Sequence, residues 1–453
     1  MQKNRALAEK AVAGSEADFA EIRLVQSSRT SVVQAGLSHV ITGPTDQFTG
    51  TARVFISNRW GICEFSSPDL MSTALDKAAT LAIHSESPPV PFPMIPPACR
   101  DTYSEDAVGV PLNDVSLREK TFLCRHYCEL LGAFLVTGSA RVIYDEVIRD
   151  RVVVNSRGTS IREKENLGSM KIQAVLPGGL VAREELALRG SFDRFRGREK
   201  HLDRIGRDLL VRETTTSIAP GRSRVILDPE LTGILVHEAF GHLVEADFLE
   251  NNPAVAHLLR AGACVGSECV NIIDDSLLLT QPGSMKWDDE GTPGSRTQLV
   301  LNGGIASWLH TMGTASRNGA RPTGNARISD PGRTPEARMT CTYMEPGKTP
   351  LEKLMLHLDN GLYLKGFMGG ATDMDRFSIA VQEVWTVRNG IIHKPVAPVV
   401  FSGKVTDVLR SVKDTGNDLQ LAGSLAGCSR RGSSPLAVTY GGPHILITDM
   451  QVS

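Results

Sequence analysis

Two histidines and a glutamate stand close together in the segment LVHEAFGHLVEADF, residues 235–248. His237 and His242 are five residues apart, and Glu238 directly follows the first histidine. Imidazoles are common zinc ligands, and a neighbouring carboxylate could take a proton from a water on the metal. Zinc-protease helices space such histidines by four residues. The spacing leaves two alternatives open, a metal site with unusual geometry or two ordinary helix histidines.

The five-residue spacing conflicts with a regular α-helix. Each helical residue turns by about 100°, so residues five apart are offset by about 140° and do not share a metal easily. A π-bulge, which changes the local hydrogen bond to i→i+5, would correct this and is favoured at functional sites. Gly241 makes the adjustment of the backbone cheap. We predict a π-bulge or a helix break between His237 and His242. Without such a bulge or break, His237 and His242 would be ordinary core or surface histidines.

The elements around this segment predict an α+β fold. Asp228 is a good N-cap for the helix that carries the histidines. Farther on, residues 377–387 alternate apolar and polar positions before Asn389, whose following glycine completes a preferred type I′ turn. The sequence therefore predicts an antiparallel hairpin downstream of the histidine helix.

The N-terminal region is predicted as α+β with an antiparallel sheet. Residues 18–40 alternate like a hairpin, and residues 117–134 have the pattern of a helix. A meander of strands follows that helix, with one turn at residues 177–179.

A run of six prolines between residues 88 and 97 is the clearest boundary, since it forbids helix and central strand. The length of 453 residues also indicates more than one domain. We predict an N-terminal domain over 1–87, a proline-rich linker over 88–110, a central helix and meander over 111–219, and a C-terminal domain over 220–453.

Composition excludes several classes of function. The formal net charge is −2, so nothing points to nucleic acid or an acidic membrane surface as a partner. The chain shows neither a secretory signal nor a run of about 20 apolar residues, so a cytoplasmic location is expected. Its eight scattered cysteines are expected to be thiols rather than a disulfide framework.

The segment HEAFGHLVEADF resembles the metallopeptidase half of the TldD/PmbA family, also called modulators of DNA gyrase. Catalytic members carry HExxxH on a helix, then a glutamate and an Asp-Phe pair, which match Glu245 and Asp247 with its following phenylalanine. The resemblance covers most of residues 220–453, for which it implies a curved antiparallel sheet with the HExxxH helix packed on it. Similar stretches follow the helix in the same order as in the family. These stretches are TGNARISDP, RMTCTYMEPGKTP, GLYLKGFMGGATDMD and NGIIHKPVAPVVFSG.

The resemblance implies a third metal ligand near the C-terminus. Family members place a cysteine in a Gly-x-Cys-Gly-Lys pattern, and AGCSRRGSSP puts Cys428 there. Taken alone, Cys428 would be an inert buried thiol. The family's Gly-Lys is replaced by Ser429 and Arg430, which puts the loop geometry and the choice of substrate in doubt. The implied site binds one Zn²⁺ per chain through His237, His242 and Cys428.

Further roles follow from the same resemblance. Glu238 is the expected general base, and Glu245 and Asp247 could orient the imidazoles or simply solvate the end of a helix. Structural pairing remains an alternative for the side chains among the substrate-binding candidates. These candidates are Arg338, Tyr343, Gly369 and Gly370.

The activity that the resemblance implies is zinc-dependent hydrolysis of peptide bonds in unfolded or precursor peptides. The implied partner is a second copy, or a PmbA/TldE-like subunit that lacks the metal motif, in a dimer that encloses the site. One alternative is a dedicated protease that matures a peptide natural product. Another is a non-catalytic scaffold subunit of a two-component protease.

Overall fold

A computed structural model describes residues 1–100, 102–105, 109–135, 138–176, 180–211, 215–430 and 433–453. Helices and mainly antiparallel sheets make up the fold, which confirms the predicted α+β class. The turn predicted at residues 177–179 lies outside the described residues.

One seven-stranded sheet dominates the N-terminal part, in the order β3-β2-β1-β5-β6-β4, with β7 also paired to β6. Its strands are β1 (Phe19–Ala35), β2 (Ser38–Ile56), β3 (Arg59–Phe65), β4 (Thr102–Glu105), β5 (Ser139–Asn155), β6 (Ser160–Val175) and β7 (Val181–Arg189). Every pairing is antiparallel except that of β4 with β6.

The sheet is continuous across two segments that the sequence divides. β1 pairs with β5 along its length, with Leu24 opposite Val152. The segments 1–87 and 111–219 therefore share one hydrogen-bonded sheet. The prolines lie outside any helix or strand, as predicted, but β4 forms within the expected linker 88–110.

Helices cover this sheet through two hydrophobic cores. They are α1 (Gln2–Ala13), α2 (Met71–Ile83), α3 (Leu117–Gly132) and α4 (Glu199–Val211). In α3 the buried residues Cys124, Tyr127, Cys128 and Leu131 recur every three or four positions, as one helix face requires. The thiols of Cys124 and Cys128 are thus part of the core, and all eight cysteines are free, as expected.

The C-terminal part contains two larger sheets and a two-stranded ribbon of β12 and β13. One sheet has the order β11-β10-β9-β14-β21-β20, and the other has the order β15-β8-β22-β18-β16-β17, with β19 paired to β22. Two pairings, β14 with β21 and β8 with β15, are parallel. The strands are β8 (Gly221–Leu227), β9 (Ile272–Asp275), β10 (Arg296–Leu301), β11 (Gly304–Ile305), β12 (Ala326–Arg327), β13 (Glu336–Ala337), β14 (Cys341–Met344), β15 (Gly361–Asp373), β16 (Arg376–Arg388), β17 (Ile391–Val396), β18 (Val400–Lys404), β19 (Val412–Thr415), β20 (Gln420–Cys428), β21 (Leu436–Gly442) and β22 (Ile445–Val452).

The predicted hairpin is confirmed as β16 and β17. Asn389 and Gly390 both have positive φ, at 49° and 73°, as a type I′ turn requires. The C-terminal helices are α5 (Pro229–Ile234), α6 (Ala246–Glu250), α7 (Pro253–Leu258), α8 (Met312–Asn318), α9 (Leu351–Leu358) and α10 (Val405–Arg410). Within the described part of the chain, no helix is long and apolar enough to cross a membrane.

Buried ion pairs join the N-terminal sheet to the C-terminal part. Asp289 accepts hydrogen bonds from Arg23 on β1 and Arg151 on β5, at 2.9 and 2.7 Å. Glu290 accepts one from Arg53 on β2 at 2.8 Å. A buried pair is costly to break from one side, because the remaining charge stays uncompensated. The charged face of the sheet therefore specifies how the two parts meet.

Candidate metal centre

The helix that carries the histidines begins where the sequence predicts. The side chain of Asp228 accepts a hydrogen bond of 2.8 Å from the backbone N–H of Leu231, and Pro229 occupies the first turn. The same carboxylate accepts the N–H of Gly366 on β15 at 3.1 Å. Asp228 therefore caps α5 and also ties it to the neighbouring sheet.

The helix changes its winding at the histidines. α5 continues into a π-helical turn, Leu235–Phe240, in which the N–H of Gly241 donates to the carbonyl of Val236, five residues earlier. A 3₁₀ turn, Gly241–Val244, follows it. The predicted π-bulge is confirmed. It brings the ring centroids of His237 and His242 to 5.3 Å from each other. In a regular α-helix, side chains five residues apart would point in different directions.

Gly241 serves a different purpose from the one that the sequence suggests. Its φ of −58° and ψ of −42° are ordinary helical values that any residue adopts, so conformational freedom is not needed there. A Cβ at this position would lie 1.9 Å from the sulfur of Met339, a fully buried residue. The expectation of a cheap backbone adjustment is wrong, since the glycine provides space for close packing.

Cys428 joins the two histidines from a distant part of the chain. It ends β20, where a register shift after Ser424 precedes its pairing with Leu436. Its sulfur lies 3.7 Å from Nε2 of His242. One ligand atom from each of His237, His242 and Cys428 can be chosen so that all three lie within 4.8 Å of one another. The structure thus brings the three predicted ligands together.

The cluster has the chemistry of a metal site. His237 is 1% exposed, yet neither of its ring nitrogens makes a hydrogen bond of acceptable geometry among the described residues. Buried polar atoms without a partner are rare and costly in folded proteins. Two imidazole nitrogens and one sulfur form a donor set that suits zinc, and three protein ligands leave one position open. The residues present therefore fit a catalytic zinc ion.

The electrostatics of the cluster attract positive charge. Burial raises the pKa of the Cys428 thiol, but the neighbouring imidazoles of His237 and His242 outweigh it and hold the pKa well below its ordinary value. Burial lowers the pKa of His242, but Glu245 and Cys428 outweigh it and raise this pKa to about 10. The thiolate is the form of cysteine that binds metals.

Glu245 orients one of the imidazoles, as one of the two alternatives predicted. Its fully buried carboxylate lies 3.0 Å from Nδ1 of His242, which leaves Nε2 to face Cys428. Such a bond selects the ring nitrogen that is free to bind a metal. Asp247 has another role, because it accepts the backbone N–H of Ala337 at 2.9 Å and a hydrogen bond of equal length from Arg430.

Two arginines surround these acidic groups. Arg338, 1% exposed, donates to the sulfur of Cys428 at 2.8 Å and lies 3.4 Å from Glu245. Arg430 bonds to Glu245 and Asp247, each at 2.9 Å, and so ties the segment after Cys428 to the histidine helix. Sequence reasoning noted Arg430 only as a departure from the family pattern. Its positive charge, two residues after a predicted ligand, was the signal that could have identified it.

Glu238 lies on the π-helical turn, directly after the first histidine. It is half-buried, and it makes neither a hydrogen bond nor an ion pair within the part of the chain that the structure describes. The helical turn fixes the position of this side chain, and its carboxylate is not engaged by another described residue. It is therefore available to exchange a proton. This property suits the predicted general base.

The remaining substrate-binding candidates lie on the strands β14 and β15. Tyr343, on β14, is buried beside Asp275 and Arg296, and burial together with Asp275 raises the pKa of its hydroxyl. Gly369 and Gly370 lie on the solvent-exposed end of β15. Among the four candidates, Arg338 alone makes a described contact with a predicted ligand.

Known proteins agree with this geometry. Residues 220–453 match the family model described as the PmbA/TldA metallopeptidase C-terminal domain. A metalloprotease of Synechocystis sp. is 31% identical over 447 residues, which cover 97% of this chain and 95% of that protein. The chain belongs to the TldD/PmbA family. A metalloprotease of Methanothermobacter thermautotrophicus is 30% identical over 455 residues, with 96% of this chain and 95% of that protein covered.

The names of the family relatives agree on a class of enzyme. A protein of Saccharolobus solfataricus, named a zinc metalloprotease TldD homolog, is 32% identical over 234 residues, 51% of this chain and 52% of that protein. Other relatives are likewise named metalloproteases, so this is a metallopeptidase family.

Two solved structures show the same fold. A proposed modulator of DNA gyrase from Thermotoga maritima has a TM-score of 0.78 and 19% identity, with 100% of this chain and 99% of that chain covered. TldE from Thermococcus kodakarensis has a TM-score of 0.76 and 17% identity at the same coverage.

Proposed function

We propose that this chain is a zinc-dependent metallopeptidase that hydrolyses peptide bonds in unfolded or precursor peptides. The observation that carries the proposal is the cluster of His237, His242 and Cys428, whose ligand atoms lie within 4.8 Å of one another. Glu238 directly follows the first ligand, and no described residue forms a hydrogen bond or an ion pair with its carboxylate. A structural zinc site would instead use four protein ligands. A scaffold subunit would not need the intact cluster.

The chemistry divides between the metal and the chain. His237, His242 and Cys428 would hold the zinc ion, which would supply Lewis acidity toward a carbonyl group and would lower the pKa of a water to about 7. The carboxylate of Glu238 takes a proton from the attacking water and passes it to the nitrogen of the departing amine. Glu245 fixes the ring orientation of His242, and Arg338 and Arg430 hold Glu245 in place.

The location of Cys428 supports an extended substrate. β20 lies at the edge of its sheet and ends at this cysteine. An edge strand offers backbone donors and acceptors to an extended peptide. We infer that unstructured segments approach the centre along this edge.

We also propose that the chain works in a dimer that encloses the centre. The partner would be a second copy or a TldE-like subunit without the metal motif. The likeness of the fold to TldE from Thermococcus kodakarensis supports the second option. Light scattering on the purified chain tests the first option. A clean monomer would exclude the homodimer and direct the search to a second subunit.

Cleavage of a mixture of unstructured peptides, read by mass spectrometry, tests the activity. We compare the zinc-loaded parent with Glu238→Gln, which keeps the size of the side chain and removes the base. We expect the parent to cleave and the variant to be slower by about 10² to 10⁴-fold, the range typical of general-base loss. Zinc content should be equal in both.

A matched control replaces a carboxylate far from the centre. Glu129, exposed on α3, becomes glutamine in Glu129→Gln, and its cleavage rate should equal that of the parent. Equal rates for parent and Glu238→Gln would reject Glu238 as the base. Failure of the zinc-loaded parent, alone and with a TldE-like subunit, to cleave any peptide would reject general peptidase activity and favour a dedicated precursor or a scaffold role.

A further inference from the structure

A second feature of the site region is a cavity of about 230 Å³ between the N-terminal sheet and the strand that follows Cys428. Five arginines and two carboxylates line it, together with small and apolar residues. β1, β2, β5 and β6 form one wall, and residues 434–437 form another. The cavity therefore has more positive than negative groups at its surface.

Both carboxylates already have partners. Asp289 is bound by Arg23 and Arg151 at 2.9 and 2.7 Å. Glu165 is bound by Arg149 at 3.1 Å and lies 3.7 Å from Arg189. Two of the arginines that line the cavity have no carboxylate left to pair with.

Arg327 is the first of these two. It is 8% exposed, and its one hydrogen bond to a described residue goes to the carbonyl of Met339 at 2.8 Å. It forms no ion pair with any residue that the structure describes. Burial lowers the pKa of its guanidinium, and the opposing charges of Cys428 and Asp289 do not restore it. A buried guanidinium with four unused donors calls for an anion.

Arg29 on β1 is the second, at the outer part of the cavity. Its side chain makes neither a hydrogen bond nor an ion pair with a described residue, and burial and the charge of Arg149 lower its pKa. Its planar fork of donors suits a carboxylate.

The cavity adjoins the metal centre. Leu436, which lines it, is the register partner of Cys428. The charge of Cys428 acts on the guanidinium of Arg327. A peptide whose scissile bond lies at the centre could therefore place a neighbouring group in the cavity.

We propose that this cavity is a carboxylate-binding subsite, in which Arg327 and Arg29 select peptides that carry a negative charge near the bond to be cleaved. The proposal rests on the peptidase function above. An Asp or Glu side chain and a terminal carboxylate share the chemistry that would be recognised. A volume of about 230 Å³ holds one such group with several waters, each of which takes about 30 Å³.

The test uses unstructured acetylated decapeptides in which one position at a time is Asp, Glu, Asn or Gln. Each pool is made with a free carboxyl terminus and with an amidated one. Cleavage by the zinc-loaded parent is followed by mass spectrometry, and retention is measured on immobilised zinc-loaded Glu238→Gln. We expect a preference of about tenfold for the acid over its isosteric amide at one position, or for the free terminus.

Two variants assign the preference to the cavity. Arg327→Gln should bring the ratio of acid to amide close to one, and Arg29→Gln, at an exposed position, should lower it several-fold. The control Arg118→Gln removes an exposed arginine of α3 and should leave the ratio unchanged. If Arg327→Gln fails to fold, the ratio of acid to amide cleavage in Arg29→Gln tests the subsite. A purely structural role of Arg327 would lower zinc content and cleavage of all peptides equally, without changing the ratio.

Equal treatment of acids and amides in both arms overturns the subsite, as does a preference that survives both variants. Arginine-dependent retention of acidic peptides without cleavage would keep the subsite and reject the peptidase function. Cleavage without any charge preference would support the peptidase function and reject the subsite.

Discussion

The guanidinium of Arg338 donates a hydrogen bond of 2.8 Å to the sulfur of Cys428. The same group lies 3.4 Å from Glu245, which orients His242. One buried arginine thus connects two predicted ligands that are 186 positions apart. These contacts favour structural pairing of Arg338 within the centre, one of the two roles that the sequence left open beside substrate binding.

Replacement of Arg338 distinguishes the two roles. In Arg338→Met the carboxylate of Glu245 keeps Arg430 but loses a buried counter-charge, so we expect a loss of about 3 kcal/mol of unfolding free energy and a lower zinc content. Urea denaturation and elemental analysis measure these effects, with the exposed Arg118→Met as control. An increase in KM with unchanged stability and zinc content would instead support substrate binding.

Cys428 can be tested against another buried thiol. Cys428→Ala should lose most of the bound zinc, because two imidazoles alone bind the ion weakly. Cys124→Ala removes a buried thiol from the α3 core and should keep zinc at the parent level. Elemental analysis after dialysis gives the answer, and full zinc in Cys428→Ala would show that the sulfur is not a ligand.

The packing of Gly241 predicts a coupled pair of substitutions. Gly241→Ala pushes a methyl group into the sulfur of Met339 and should cost about 1 to 3 kcal/mol. Met339→Ala alone should cost about 2 to 5 kcal/mol. In the double variant the new methyl group enters the space that Met339 leaves. The loss of unfolding free energy in the double variant should therefore be smaller than the sum of the losses in the two single variants. Additive losses in urea denaturation would contradict the close contact.

Buried Glu21 predicts a dependence of stability on pH. Burial, with only partial compensation by Arg53, raises the pKa of its carboxyl from 4.5 to about 7. The folded state then binds the proton more tightly than the unfolded state. Glu21 therefore contributes up to about 3 kcal/mol to the free energy of unfolding. This contribution is fully present below pH 4.5 and is lost as the pH rises through 7.

The comparison that isolates this effect is parent against Glu21→Gln. The unfolding free energy of the parent, relative to the variant, should decrease between pH 4.5 and 7.5. Urea denaturation at several pH values measures it. A difference that is constant or increases with pH would mean that Glu21 is ionised throughout and held by Arg53.

Much of the local structure follows from the sequence alone. Asp228 caps its helix because its side chain accepts a hydrogen bond from the backbone N–H of Leu231. Asn389 and Gly390 form the hairpin turn because both residues readily adopt positive φ. Even the π-helical turn could be inferred, since five-residue spacing leaves a regular helix no means of joining His237 and His242. These are short-range effects, which depend on neighbours in the chain.

Long-range contacts required the tertiary structure. The sequence does not show that β1 pairs with β5, that Met339 occupies the space beside Gly241, or that Arg327 is buried without an ion pair to a described residue. Each depends on which distant segment fills a given volume. The sequence by itself determined the residue types of the centre and the turn that presents them. The tertiary structure decided which charges surround them, because burial and distance, rather than order along the chain, set the strength of an electrostatic interaction.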